Sequence, residues 1–224
     1  MPRQFEWGGM PVPYITAWSA ESLDQPPLIR RVVGSFHGIG YADEDPRADR
    51  DADTGALLAR QALAPGFGIP VFEEMNGLRQ RQAVRQMLCQ VCGRPAPMRI
   101  KGGRSLYMVG SGTPIGEGET TTAPSVHPAC ALESVEHCPS LHRGFSAALV
   151  EYSPLWGVAG VVHDPATLGP RLPSPSPTRL TRVPVGSPDI PWTPAAALVI
   201  SLHGITPISL DGIRKLAVLE EAPC

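Results

Sequence analysis

Two thiols set two residues apart, Cys89 and Cys92 in "LCQVCGRPAP", constrain this chain more than any other feature of its sequence. Four of the five cysteines fall within residues 89–138, and the same stretch holds His127 and His137. A secreted disulfide scaffold spreads an even number of cysteines along a small domain, so this clustering points to a shared ion instead. Cys89-x-x-Cys92-Gly93 has the shape of a zinc knuckle, in which two thiolates face one ion and glycine relieves the tight backbone. A redox pair of the same spacing would open a helix inside a βαβ unit. Here the pair follows a predicted helix and precedes Pro95 and Pro97, which disfavours that reading.

A structural zinc needs two more ligands, and His127, Cys130, His137 and Cys138 are the candidates. "HPACALESVEHCP" predicts a short helix, with Pro128 tolerated in its first turn and Pro139 ending it. Three residues apart at a helix start, His127 and Cys130 share a face and reach one ion. Cys138 lies eight residues beyond Cys130, about 12 Å along a continuous helix. Sulfurs on one zinc lie only about 4 Å apart, so a helical 130–138 segment excludes Cys138. If the chain instead turns back after one helical turn, Cys138 could replace His127. The expected set is Cys89, Cys92, His127 and Cys130, with Cys138 and His137 as alternates.

"RSLYMV" and "GEGETTTAP" flank the turn-rich "GSGTPIG" and predict a β-hairpin. Knuckle, hairpin and a helix carrying the second ligand pair is an order of elements that resembles a treble-clef zinc finger. A nuclease built on that motif would place a catalytic histidine in the hairpin, and residues 93–126 contain none. Nothing there could activate water or hold a second ion over a phosphate. "GYADEDPRADRDADTG", "LRQRQAVRQMLCQVCG", the His127/Cys130 pair and "EHCPSLHRG" are together similar to a group of uncharacterised actinobacterial proteins over residues 38–145. That resemblance implies a small cytoplasmic zinc-containing protein whose second pair is often Cys-x-x-Cys. It implies no activity.

The expected fold class is α+β, a treble-clef-like core with added short strands and a C-terminal helix. Residues 1–169 form a domain containing the zinc site, 170–191 a Pro/Ser-rich connector, and 192–224 a helical segment packed on the same domain. "PYITAW" and "IRRVVGSFHGIGY" predict strands, as do "FSAALVEY" and "WGVAGVVHDP". "MNGLRQRQAVRQMLC" predicts a helix capped by Asn76, with Leu78, Ala83, Met87 and Leu88 on one side. "TPAAALVISLH", with Thr193 as cap, Pro194 in the first turn and Gly204 beyond, predicts another. No apolar run approaches the ~20 residues of a membrane span, so no membrane partner and a cytoplasmic location are expected.

Residues 78–104 hold Arg79, Arg81, Arg85, Arg94, Arg99, Lys101 and Arg104 with no acidic residue, in a chain of net charge −2. Such an excess beside a zinc finger suits contact with phosphates or an acidic protein. The competing reading pairs these arginines with the acidic residues 43–53. That acidic segment imitates a calcium loop, but glycine falls one place late and Arg60 stands where a glutamate is needed, so it reads as a solvated turn. Enzyme signatures such as H-E-x-x-H, G-x-S-x-G and a phosphate loop are missing. The first expectation is a zinc-stabilised binding protein whose basic face meets nucleic acid or protein. The second is an enzyme of specialised metabolism with structural zinc and a pocket elsewhere, holding His163, Asp164 or His37. The third is a zinc-dependent hydrolase with an open metal position.

Overall fold

A computed structural model describes residues 5–21, 26–33, 36–96, 103–110, 112–171 and 180–221, as a mixed α/β chain of small antiparallel sheets. The first third consists of short pairs. Strands β1 (Glu6–Trp7) and β2 (Met10–Pro11) pair with each other, β3 (Thr16–Trp18) pairs with β6 (Pro70–Met75), and β4 (Leu28–Val33) pairs with β5 (Phe36–Tyr41). Helix α1 (Pro46–Asp49) lies between β5 and β6, and α2 (Gly77–Arg85) follows β6. Asn76 caps α2 as the sequence predicts, its side chain accepting from Arg79 N at 3.0 Å.

The core lies in the second part of the chain. Strands β7 (Ser105–Val109), β9 (Ser146–Val150) and β13 (Thr206–Pro207) form one sheet in the order β13-β9-β7. Strands β8 (Thr120–Thr121), β10 (Leu155–Gly160), β11 (Thr181–Pro184) and β12 (Ala195–Ser201) form another, ordered β11-β10-β12-β8. Helices α3 (Pro128–His137) and α5 (Leu210–Glu221) pack on each other, and α4 (Pro139–His142) follows α3. Period-two alternation then builds the layers. Leu106, Met108, Ala147 and Leu149 face the helices, meeting Ala131, Leu132, Ile213 and Leu216. The intervening Tyr107, Ala148 and Val150 face Ile200 and Leu202 of the neighbouring sheet. Each large side chain buried here contributes roughly 1.5–3 kcal/mol, and this sheet is covered on both faces.

Helix α2 buries a polar face. One edge of β12 is only partly covered, because β8 reaches Ile200 and Ser201 alone. Its remaining backbone groups need partners; Leu57 and Ala59 bond those of Ala195, and α2 supplies others. The Gln80 amide accepts from Leu198 N and donates to Leu198 O, both at 2.9 Å, and also donates to Thr122 O at 2.7 Å. Arg81 donates to the carbonyls of Ala195 and Ala196. Leu78, expected on the core side, is instead exposed. What decides the orientation of this helix is hydrogen-bond demand at a strand edge.

Three further expectations need correction. Residues 195–201 form strand β12, because six consecutive apolar residues lack helical periodicity and both faces of the strand are covered. The C-terminal helix exists but begins at Leu210. The hairpin expected between residues 105 and 121 does not form: β7 pairs with β9, and β8 with β12. A treble-clef order is thus matched in the knuckle and the helix but not in the hairpin. The 170–191 connector contains strand β11, whose Val183 is buried, while 172–179 lie outside the described residues. No described helix is long and apolar enough to cross a membrane.

Candidate metal centre

Residues 87–96 close a narrow turn. Cys89 N donates to Arg94 O at 2.8 Å, Gly93 N to Cys89 O at 2.9 Å and Ala96 N to Met87 O at 2.8 Å. Gly93 has φ +67°, and a Cβ there would lie 2.7 Å from the Tyr14 ring, so backbone and packing both require glycine. The turn presents Cys89 and Cys92 toward the start of α3. There His127 is the N-cap, Pro128 opens the helix, and Cys130 lies one turn in. Four ligand atoms, one each from Cys89, Cys92, His127 and Cys130, all lie within 4.8 Å of one another. This cluster could hold a metal ion.

The donor chemistry fits that use. All four described cysteines are free thiols. His127 Nδ1 sits 3.3 Å from Cys92 Sγ, and His127 Nε2 is 3.0 Å from Pro95 O. A carbonyl only accepts, so Nε2 carries a proton and Nδ1 is the nitrogen turned toward the sulfurs, the orientation a metal-binding imidazole needs. His127 N also donates to Cys89 Sγ at 3.5 Å. The N-terminus of α3 adds positive potential beside the thiolates. Cys89 is fully buried and Cys130 nearly so, which places the cluster at the margin of the core that joins α3 to β7 and β9.

The groups of this cluster perturb one another's protonation. Hydrogen bonds from Cys130 and Cys89, with His127 beside them, hold the Cys92 thiol far below the ordinary range. Cys89 and then Cys92 push Cys130 up, since a further negative charge beside those sulfurs is disfavoured, and burial adds to the rise. Without an ion, hydrogen bonds to Cys89 and Cys92 raise His127 to about 10, so an ion held by the cluster would take the place of the Nδ1 proton. The exposed Arg94 is likewise raised, first by its hydrogen bond to Cys92. Arg94, expected from the sequence to contact a partner, is thus a supporting group of the cluster, as is the Pro95 carbonyl. Their position directly after the second cysteine is the one sequence signal of that role.

The alternates lie elsewhere. Helix α3 runs unbroken to His137, so Cys138 and His137 are carried away from the cluster, as the length of a continuous helix requires. The basic stretch does not form one outward face. Arg79 and Arg81 are buried, and burial pushes Arg81 down to about 10. Arg85 pairs with Asp51 and with Asp53, the latter at 2.9 Å. Arg104 donates to Thr206 Oγ1, while Arg99 and Lys101 lie outside the described residues. The acidic segment is correspondingly not a solvated turn: Asp49 and Asp51 are buried, with Arg60 on Asp49 at 2.7 Å.

His163 Nδ1 lies 2.9 Å from Leu168 O, and Asp164 accepts from the amides of Ala166 and Thr167, so both serve a local turn. His37 is exposed in the β4–β5 pair. A pocket of 310 Å³ between β9, β13 and the start of α5 is lined by Ile115, Phe145, Ile208 and Leu210 among others, and no ionisable side chain lines it among the described residues. No protein-family model, curated protein or solved structure matches this chain. The likeness to actinobacterial proteins therefore gains nothing from these comparisons, and the site is read from its geometry.

Proposed function

We propose that this chain is a zinc-stabilised binding protein in which zinc cross-links the 87–96 turn to α3. The supporting observation is the converging set of three sulfurs and one imidazole nitrogen. Soft thiolates with imidazole select zinc over hard cations, and four protein donors complete a tetrahedron. A hydrolytic metal needs a free position, so the open-site reading has less support. Cys89, Cys92, His127 and Cys130 would hold the ion, which supplies positive charge and a cross-link and carries out no step.

Of the two partner classes, protein is better supported than nucleic acid. Arg79 and Arg81 face inward and Arg85 is matched by carboxylates, which leaves few cations for phosphates among the described residues of that stretch. Trp7, Phe67, Ile69 and Phe72 are exposed on or next to the short strands of the first third, and exposed aromatic residues are a feature of protein contacts. Fluorescence anisotropy with a labelled duplex DNA and a single-stranded RNA, read from about 50 to 200 mM salt, tests this choice. Weak binding with a shallow salt slope is expected. A slope reporting six or more phosphate contacts would restore the nucleic-acid reading.

A further inference from the structure

The end of β12 carries a second group of reactive side chains, remote in sequence from the thiol cluster and independent of it. Ser201 and His203 stand two residues apart and so lie on the same side of the chain. Ser201 Oγ is 3.0 Å from His203 Nε2, and His203 Nδ1 is 3.1 Å from a carboxylate oxygen of Glu117. Two loops grip this strand end. Leu202 N donates to Glu119 O, Gly118 N to Leu202 O, His203 N to Tyr152 O and Ser201 N to Pro154 O. The Tyr152 ring stacks on the imidazole with centroids 4.8 Å apart and planes 9° from parallel, which fixes the ring plane.

Glu117 orders the direction of this chain of hydrogen bonds. Its carboxylate accepts from Gly204 N at 3.1 Å and Ile205 N at 3.3 Å. Gly204 has φ +67°, which turns both amides toward Glu117, and a Cβ there would lie 2.6 Å from Glu151. Desolvation works against ionisation, but the Ile205 and Gly204 amides and His203 outweigh it and hold the carboxyl below its ordinary value. An ionised carboxylate only accepts, so Nδ1 of the neutral imidazole donates to it. Nε2 is then bare, and the Ser201 hydroxyl must donate to it. That is the arrangement of nucleophile, base and orienting acid which activates a serine hydroxyl.

We propose that Ser201, His203 and Glu117 form an acyl-transfer site for small activated esters, with Ser201 as nucleophile, His203 as general base and Glu117 as positioning residue. Ser201 Oγ bonds to the acyl carbon, the carbonyl electron pair moves to oxygen, and the hydroxyl proton passes to His203 Nε2. Collapse of the adduct breaks the ester C–O bond, and the proton leaves with the departing alcohol. Water, deprotonated by His203, then attacks the acyl-serine and releases the carboxylic acid and the free hydroxyl. Ser201 is only 7% exposed and Tyr152, stacked on His203, is 58% exposed, so a substrate would have to reach the hydroxyl past the tyrosine. A flat aryl ester suits that surface.

The test uses the full wild-type chain with a fluorophosphonate probe, intact mass and peptide mapping. One adduct on Ser201 is expected, forming faster as pH rises through the imidazole range. His203→Gln should slow labelling by roughly 100-fold or more at unchanged circular dichroism, the scale of general-base assistance. Glu117→Gln should slow labelling as well, because the amide no longer dictates which ring nitrogen carries the proton. No adduct on Ser201, or a labelling rate that is flat with pH or unchanged in His203→Gln, overturns the proposal. Mapping and the pH profile are both read on the wild-type chain, so the test stands even if a variant fails to fold.

Discussion

Replacing Arg79 by methionine separates an arginine that contacts a partner from one that holds the interior. Arg79 is 4% exposed and pairs with both carboxylate oxygens of Glu21, itself 2% exposed. It also donates to Tyr14 O and Thr16 O, each at 2.6 Å. Methionine fills much of the same volume but leaves Glu21 with the Trp18 amide at 3.0 Å and no cation. Breaking a buried pair from one side costs about 3–5 kcal/mol. In a chain of this size that is a fall in melting temperature of roughly 6–20 °C. Adding Glu21→Leu removes the stranded charge and should recover part of the loss. Recovery is incomplete, because each of the two abandoned carbonyls still costs about 1–3 kcal/mol if it stays dry. Urea unfolding followed by tryptophan fluorescence is the assay, with Trp18 beside the pair. An Arg79→Met chain within about 0.5 kcal/mol of wild type, the range of ordinary surface substitutions, is incompatible with an interior role for this arginine.

Cys92→Ser should lose bound metal together with soluble, folded protein, whereas Cys138→Ser should retain both, as metal analysis of the two purified variants would show. Burial raises all three of Glu21, Asp49 and Asp51, most of all Glu21 and Asp51, yet hydrogen bonds, chiefly from their arginine partners, leave each native pKa below the ordinary value. Their contribution is therefore complete above the unfolded values of about 3.9–4.3 and is lost as pH falls through the depressed native ones. A urea midpoint of the zinc-loaded chain that falls as pH drops below about 5 is expected, protonation of the thiol ligands adding to the loss, and a midpoint that rises below pH 4 would contradict it.

The thiol cluster was legible because ligand spacing is local: Cys-x-x-Cys makes a turn, and three residues of helix place His127 beside Cys130. Helix α2 was legible from Asn76 but its buried side was not, since the demand for its glutamine and arginines comes from a strand more than a hundred residues away. The run at 195–201 misled because Thr193, Pro194 and Gly204 imitate helix ends, while the cover on both faces of β12 is a tertiary fact. For the same reason β7 and β8 looked like partners: adjacency in sequence suggested pairing that the two sheets do not use. Ser201 and His203 carried a faint signal in their two-residue spacing. Glu117 carried none, because its place beside His203 depends on how a distant loop meets the end of β12.

Whether an ion ties the 87–96 turn to α3 is decided by the metal content of the natively purified chain. Elemental analysis should find one zinc per chain, and chelation should release it together with the loss of cooperative unfolding, because ion binding and folding share one free energy. A folded chain that carries no zinc after purification, and takes up none when zinc is offered under reducing conditions, would show that the fold needs no such cross-link.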